Sequence, residues 1–269
     1  METNENRQEL LKELRDIKNW EKAQQKVWFW ERLGRLPFKI LDKLTPAFIQ
    51  NKLGRALDEL GGYIQSGGRY LISKKTVLKK FDGVDSLEDI RHLPLGQMDE
   101  AARRYAVSRA RFAKWQGATT GVGGYFTLAI DIPALLGLSL KILQEIAICY
   151  GYDPYDKAER LFIVKCLQFA SADVVGKKAV LDDLEQIDKE ERQHRTVTQL
   201  QSWREVIMTY RENYGWKKLF QLVPIAGIVF GAIVNKSTLE NVAETGMMLY
   251  RKRRILEKLE AMKKPSAKQ

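Results

Sequence analysis

Cysteine and histidine are scarce in this sequence, with two of each among 269 residues. A disulfide framework is therefore excluded, and little material remains for a metal site. Cys149 and Cys166 stand in apolar stretches, where a free thiol behaves as a small buried side chain. We predict two buried thiols rather than a disulfide, and neither a metal nor another cofactor.

Motifs of known catalytic chemistry are also missing. No segment matches the nucleophile elbow GxSxG, the Walker A loop, the HExxH zinc motif or a CxxC pair. The glycines of 121–125 lack the preceding strand and the third glycine of a dinucleotide loop. His92 and His194 lie far apart among charged or loop residues, as surface histidines do. No catalytic residue is assigned, and a non-enzymatic protein is favoured.

A secretory signal is not evident either. Residues 1–20 contain no apolar h-region, and the sequence predicts no disulfide framework, so we expect a cytoplasmic location. The mean hydropathy of −0.35 argues against a polytopic membrane protein.

Positive charge is in excess, with 45 Lys and Arg against 34 Asp and Glu, a formal charge of +11. Such a balance points to an acidic partner, either nucleic acid or an anionic membrane. No helix-turn-helix, zinc-finger or RNP pattern occurs, and the basic residues flank apolar runs. We therefore predict a membrane surface as the partner and no nucleic acid.

Helical periodicity dominates the chain, and strand alternation is nearly absent. Apolar residues recur at spacings of three and four in residues 5–20, Thr45-Pro46 can open a helix, and Gly151 suits a helix C-terminus. The pattern predicts an all-α fold: a bundle-like domain over 45–264, an N-terminal helical extension over 1–44 and a disordered tail over 265–269.

Two glycine-rich runs, 117–130 and 219–235, contain no charged residue. Each carries a GxxxG pair, Gly117/Gly121 and Gly227/Gly231, that allows close helix packing. At 1.5 Å per residue the runs cover roughly 21 and 25 Å, against about 30 Å of hydrocarbon. We predict two apolar helical hairpins, packed in a core or dipping into one leaflet, with a full span the least favoured alternative.

Basic clusters adjoin these runs. On a helical wheel, four basic residues before the first run lie on one arc, and Arg109 lies outside it. The four are Arg103, Arg104, Arg111 and Lys114. Basic amphipathic helices of this kind bind anionic leaflets, and Trp28-Phe29-Trp30 is a candidate apolar anchor. The alternative is a solvated face with its aromatic residues in the core. The predicted membrane-contacting residues are Arg103, Arg104, Arg111, Lys114, Lys217, Lys218, Arg251, Lys252, Arg253 and Arg254.

Asp131 is the carboxylate that draws most attention, because it follows an uncharged run and precedes Ile132-Pro133. Aspartate before proline is typical of an N-cap, so we predict that Asp131 caps a helix beginning at Ile132 or Pro133. A functional acid is the alternative.

Several of these residues resemble the EcsC family in order and spacing. The resemblance spans roughly 94–251 and rests on Gln116-Gly117-Ala118 with Gly121, Asp131-Ile132-Pro133-Ala134-Leu135, Tyr150-Gly151-Tyr152 and Pro224-Ile225-Ala226-Gly227 with Gly231 and Asn235. It implies a bacterial cytoplasmic protein at the inner membrane that serves an ABC transporter or an envelope process. It carries no catalytic residue, and Asp131, Pro133, Tyr150, Gly151 and Asn235 would be structural.

Three functions remain open from the sequence. The first is a non-enzymatic protein bound peripherally to the anionic cytoplasmic face of the membrane. The second is a soluble adaptor for a membrane transporter or protease, with the glycine-rich runs in its core. The third is an enzyme acting on lipid or peptide. The sequence does not define an oligomeric state.

Overall fold

The computed structural model describes residues 5–25, 59–120, 125–171, 177–178, 180–184 and 235–263. Side chains are described in these ranges except at 69, 110–120, 125–135, 171 and 235–238.

This part of the chain is helical and contains no strand, which confirms the predicted all-α class. Short helices cluster between residues 59 and 91, and long helices follow them. The labelled helices are α1 (Arg7–Gln24), α2 (59–66), α3 (Lys74–Leu78), α4 (Leu87–Arg91), α5 (Leu95–Thr120), α6 (Tyr125–Cys149), α7 (Lys157–Ser171) and α8 (Asn235–Ala261); residues 177–178 and 180–184 are also helical, and Gly68–Tyr70 form a 3-10 turn.

Helix α1 has the amphipathic form that its periodicity predicted. Asn6 caps it, accepting a hydrogen bond from the Gln8 amide at 3.1 Å. Leu10, Leu14 and Ile17 lie on one face, because residues three and four apart share a face of a helix, and all three are buried. Helix α1 packs on α8 through this face, so it belongs to the same core as the long helices.

The centre of the bundle is a parallel pair, α6 and α8. Residues 142–152 of α6 and its C-terminal turn are buried throughout, and a Cβ added at Gly246 of α8 would touch Leu143 and Ile146. Just beyond the end of α6, Tyr152 donates a hydrogen bond at 3.1 Å to Glu257, which lies farther along α8 than Gly246. Contacts that advance in the same order along two helices define parallel axes.

The other long helices run antiparallel to α8. Along α1, Glu5 contacts Lys258 and Trp20 donates to Glu244 at 2.8 Å. Helix α7 contacts Tyr250 near its beginning, through Glu159, and Asn241 at its last turn. Helix α5 bonds Arg251 and Tyr150 through Asp99 near its own start, and ten residues later its Arg109 bonds Glu145 of α6, so α5 runs against α6 and therefore against α8. Helices α1, α5 and α7 therefore all point against α8.

The C-terminus of α6 is closed by a left-handed glycine, as predicted. Gly151 has φ +80°, and its amide donates to the Ile148 carbonyl at 2.9 Å. The Tyr152 amide donates to the Ala147 carbonyl at 2.9 Å, which completes a Schellman cap. This turn aims the two flanking tyrosines back into the bundle.

The N-cap prediction for Asp131 is wrong. Helix α6 begins at Tyr125 and continues without a break to Cys149, so Asp131 and Pro133 lie inside it. A proline in a helix interior removes one backbone hydrogen bond and costs about 3 kcal/mol. The long buried face of α6 offsets that cost, which the sequence pattern around one proline does not reveal.

The first glycine-rich run spans the end of α5 and the beginning of α6, with 121–124 outside the described residues. The second run lies outside them, except that Asn235 opens α8. Among the described helices, none has the length and apolar character needed to cross a membrane. Cys149 and Cys166 are free and buried, which confirms that prediction.

Candidate functional site

Helix α5 presents a polar face to solvent next to a face of small residues that packs inward. Ala101 and Ala102 are buried, whereas Arg103, Arg104 and Val107 are exposed. Arg104 pairs with Glu100 at 3.0 Å on the helix surface, a contact that leaves both side chains largely in water. This outer surface of α5 is thus open to a partner.

The same helix continues to Thr120, and its sequence from Ala101 to the end of the uncharged run at Ile130 contains no acid. Arg111 and Lys114 lie on this stretch of α5, although their side chains fall outside the described set. The backbone thus carries the predicted basic residues toward the junction of α5 and α6 on one continuous helix.

Arg109, which the helical wheel placed off the basic arc, points inward rather than onto this surface. Its Nε donates to Oε2 of Glu145 at 2.9 Å, and its Nη2 donates to Oε1. Glu145 is 4% exposed and Arg109 is 23% exposed. The hydrogen bonds to Glu145 raise the pKa of Arg109, so the guanidinium stays charged. This two-point pair fixes the register of α5 against α6.

The basic turn of α8 occupies a different environment from the one the sequence suggested. Arg251 bonds Asp99 of α5 at 2.9 Å and Glu13 of α1 at 3.1 Å. Lys252 bonds Glu21 of α1 at 2.7 Å. Both cations are therefore neutralised by acids from neighbouring helices rather than presented to solvent.

Arg253 and Arg254 contact α7 and the turn that ends α6. Arg253 bonds Glu159 of α7 at 2.9 Å and stacks over the Tyr152 ring at 4.4 Å. Arg254 is buried, donates through Nε to the Tyr150 carbonyl at 3.0 Å, and bonds Glu257 at 2.6 Å. The expected membrane-facing cluster 251–254 is instead a cationic hub that joins α8 to α1, α5, α6 and α7, because each helix supplies an acceptor.

Two tyrosines beside Gly151 complete this hub. Tyr150 donates its hydroxyl to Asp99 at 2.6 Å, beside the Asp99–Arg251 pair. Burial raises the pKa of Tyr150 well above its usual range, which keeps the hydroxyl a donor. The turn Tyr150-Gly151-Tyr152, which resembles a motif of the family, therefore positions polar partners of α8.

The acids of this hub, and Glu145, which pairs with Arg109, were missed from the sequence. The available signal was their position on apolar faces: Glu21 follows the stripe of α1, and Glu145 stands inside an apolar stretch of α6. A carboxylate at a buried helical position requires a cation or donor, because an unpaired charge there is costly. A carboxylate at such a position can be predicted to form an ion pair or hydrogen bond, but the sequence does not indicate with which residue.

The remaining predicted residues fall outside the described set. Of the two paired glycines in the first run, Gly117 has a described backbone, in α5, whereas Gly121 does not. No group of three metal-ligating side chains occurs among the described residues. Wholly outside lie Trp28, Phe29, Trp30, Gly121, Lys217, Lys218, Gly227 and Gly231.

Comparison with known proteins adds the family. The model of the EcsC protein family matches residues 11–255. The chain is 58% identical over 261 residues to a protein of Bacillus subtilis strain 168 named uncharacterized protein YdbA, covering 95% of this chain and 96% of that one. It is 31% identical over 163 residues to protein EcsC of the same organism, covering 61% of this chain and 66% of that one. No solved structure matches. A match over almost the whole chain places this protein in the EcsC family.

Proposed function

We propose that this protein binds peripherally to the anionic, cytoplasmic face of the bacterial membrane, without catalytic chemistry of its own. The observation that carries the proposal is the α5 stretch, where exposed Arg103 and Arg104 begin an acid-free segment that ends in an uncharged run. Basic helical surfaces next to apolar residues are what anionic leaflets attract.

Charge alone supplies only part of the affinity. Arg109 is occupied by Glu145 and the 251–254 cluster by acids of other helices. Four basic residues of α5 then remain beside Lys217 and Lys218, and at about 1 kcal/mol each the four of α5 give a dissociation constant of about 1 mM. Useful binding therefore requires apolar insertion as well, for which the uncharged run at the α5–α6 junction is suited in composition.

Flotation of the full-length protein with vesicles tests the proposal. We expect binding to phosphatidylglycerol vesicles, little binding to phosphatidylcholine vesicles, and weakening as salt rises. Neutralising all four basic residues, by R103Q, R104Q, R111Q and K114Q together, should reduce flotation strongly. An R109M variant is unsuitable as a control, since that residue holds the fold.

The outcomes separate the alternatives. Binding that resists salt but needs the vesicle indicates that apolar insertion dominates. Absence of flotation with either lipid refutes the proposal and favours a protein partner in the membrane, such as a transporter. Equal binding to both lipids refutes the role assigned to the α5 charges.

A further inference from the structure

We infer that helix α1 is a second contact surface for the anionic membrane, and this inference rests on the proposed function above. The contact is a row of exposed residues along one flank of α1, which we call the α1 row. Its members are Arg7, Leu11, Arg15, Lys18 and Lys22.

The α1 row is straight because its members recur at helical spacing. They are four, four, three and four residues apart, and on a helical wheel they fall within an arc of about 80°. From Arg7 to Lys22 the helix rises about 22 Å at 1.5 Å per residue. The exposed acids of α1, Glu9 and Asp16, lie at least about 100° from the edge of this arc. A flat anionic surface can therefore meet four cations of α1 without meeting an acid.

The outer face of α1 is positive because part of its acidic charge points inward. The sequence of α1 contains five cations and four acids, which is nearly balanced. Two of the acids face the bundle, where Glu13 bonds Arg251 and Glu21 bonds Lys252 of α8. All five cations are exposed, together with the other two acids. The fold therefore gives this nearly neutral helix a solvent face on which cations outnumber acids by five to two.

The fold does not use the cations of the α1 row. Within the described part of the chain, Arg7, Arg15, Lys18 and Lys22 form no ion pair, whereas Arg104 on the surface of α5 is paired with Glu100. Exposed side chains without such partners contribute little to stability. Their charge is available to an anionic partner, and their removal should leave the fold intact.

An exposed apolar residue lies among these cations. Leu11 is 38% exposed and stands one helical turn from Arg7 and from Arg15. Helix α5 repeats the arrangement, since Val107 is 44% exposed and stands one turn beyond Arg103. Cations that meet head groups beside an apolar side chain that enters the acyl boundary are typical of helices lying on anionic leaflets. The repeat on two helices favours a lipid surface over an acidic protein as the partner.

Helices α1 and α5 also run in the same direction. Both run against α8, and they begin side by side, where the Leu95 amide donates a hydrogen bond to Glu5 at 2.6 Å. A membrane that lies along the axis of one helix therefore lies roughly along the axis of the other. The α1 row thus predicts that the bundle lies lengthwise on the membrane.

Flotation of full-length double variants with phosphatidylglycerol vesicles tests the α1 row. R15Q/K18Q removes two of its cations, and K75Q/K79Q is the matched control, because it removes the same charge from two exposed lysines in and next to α3. We expect R15Q/K18Q to weaken binding by about 30-fold and K75Q/K79Q by less than about threefold. Thermal melting followed by circular dichroism checks that both variants remain folded.

A second control changes the charge of α1 outside the row. E9Q/D16Q raises the formal charge of +11 by two. Its acids lie on another flank of a helix about 10 Å across, which exceeds the Debye length of about 8 Å at physiological salt. We therefore expect E9Q/D16Q to strengthen binding by less than about threefold.

The failure of the inference differs from the failure of the proposed function. If the wild-type protein does not float, the proposed function is wrong. If it floats and R15Q/K18Q floats equally well, only the inference is wrong, and an acidic protein becomes the partner to seek for the α1 row. If K75Q/K79Q weakens binding as much as R15Q/K18Q, or E9Q/D16Q strengthens it by a similar factor, net charge alone governs binding and the inference is again wrong.

A fluorophore provides a second measurement that does not depend on removing charge. An environment-sensitive dye is attached at L11C within the α1 row or at K75C on α3, both at exposed positions. Background labelling is low because Cys149 and Cys166 are buried. We expect a blue shift with phosphatidylglycerol vesicles at position 11 and none at position 75. Equal shifts, or a larger shift at position 75, overturn the inference.

Discussion

The pair between Arg109 and Glu145 has unequal exposure, and removing either partner should therefore have unequal effects. Arg109→Met leaves a carboxylate that is only 4% exposed without its cation. We expect this change to lower the free energy of unfolding by about 3–5 kcal/mol, the usual result of stranding a buried charge. Glu145→Met leaves a guanidinium that is 23% exposed and can reach water. We expect a smaller loss of about 1–2 kcal/mol.

The double variant completes the cycle. Arg109→Met with Glu145→Met replaces both charges by flexible apolar side chains of similar length, so its stability should lie within about 1 kcal/mol of wild type. Urea unfolding, followed by circular dichroism, measures the free energy of unfolding of all four proteins, and their m-values should be the same. The reasoning is refuted if Glu145→Met is at least as damaging as Arg109→Met, because exposure would then not govern the cost. Additive losses in the double variant would show that the two side chains do not interact.

Two further predictions concern the core. Gly151→Ala should destabilise by at least about 1–2 kcal/mol, because φ is +80° and the new Cβ would lie 3.2 Å from the Leu87 carbonyl oxygen. Gly96→Ala, in helix α5 with open space around it, is the matched control and should be neutral or raise the melting temperature. A thiol reagent should label neither Cys149 nor Cys166 in the native protein, because both are buried and burial raises the pKa of Cys149. In urea, the reagent should label both. Rapid native labelling would contradict this placement.

Features set by neighbouring residues were predictable from the sequence. The apolar spacing of Leu10, Leu14 and Ile17 gave α1 its buried face, and Gly151 gave α6 its end. Both depend on interactions within one or two helical turns, which sequence patterns capture directly.

Features set by distant residues were not predictable. Arg251 and Arg253 have the sequence pattern of an exposed basic helix, yet their partners Glu13 and Glu159 lie 238 and 94 residues away. Asp131 has the pattern of a cap, but α6 continues through it from Tyr125 to Cys149, and the described side chains of α6 from Leu136 onward are mostly buried against other helices. The local sequence indicates what kind of partner a side chain requires, and the tertiary fold determines which residue becomes that partner.

Because the chain is synthesised from its N-terminus, the cationic hub affects when it can fold during translation. Its cations come from α8, the last described helix, whereas the acids that they neutralise belong to α1, α5 and α7. During synthesis Glu13, Asp99 and Glu159 emerge long before residues 251–254 exist, so an earlier core would bury acids without cations. Complete folding must therefore wait for the end of translation, and a chain truncated before residue 251 should be recognisable to cellular proteases as unfinished.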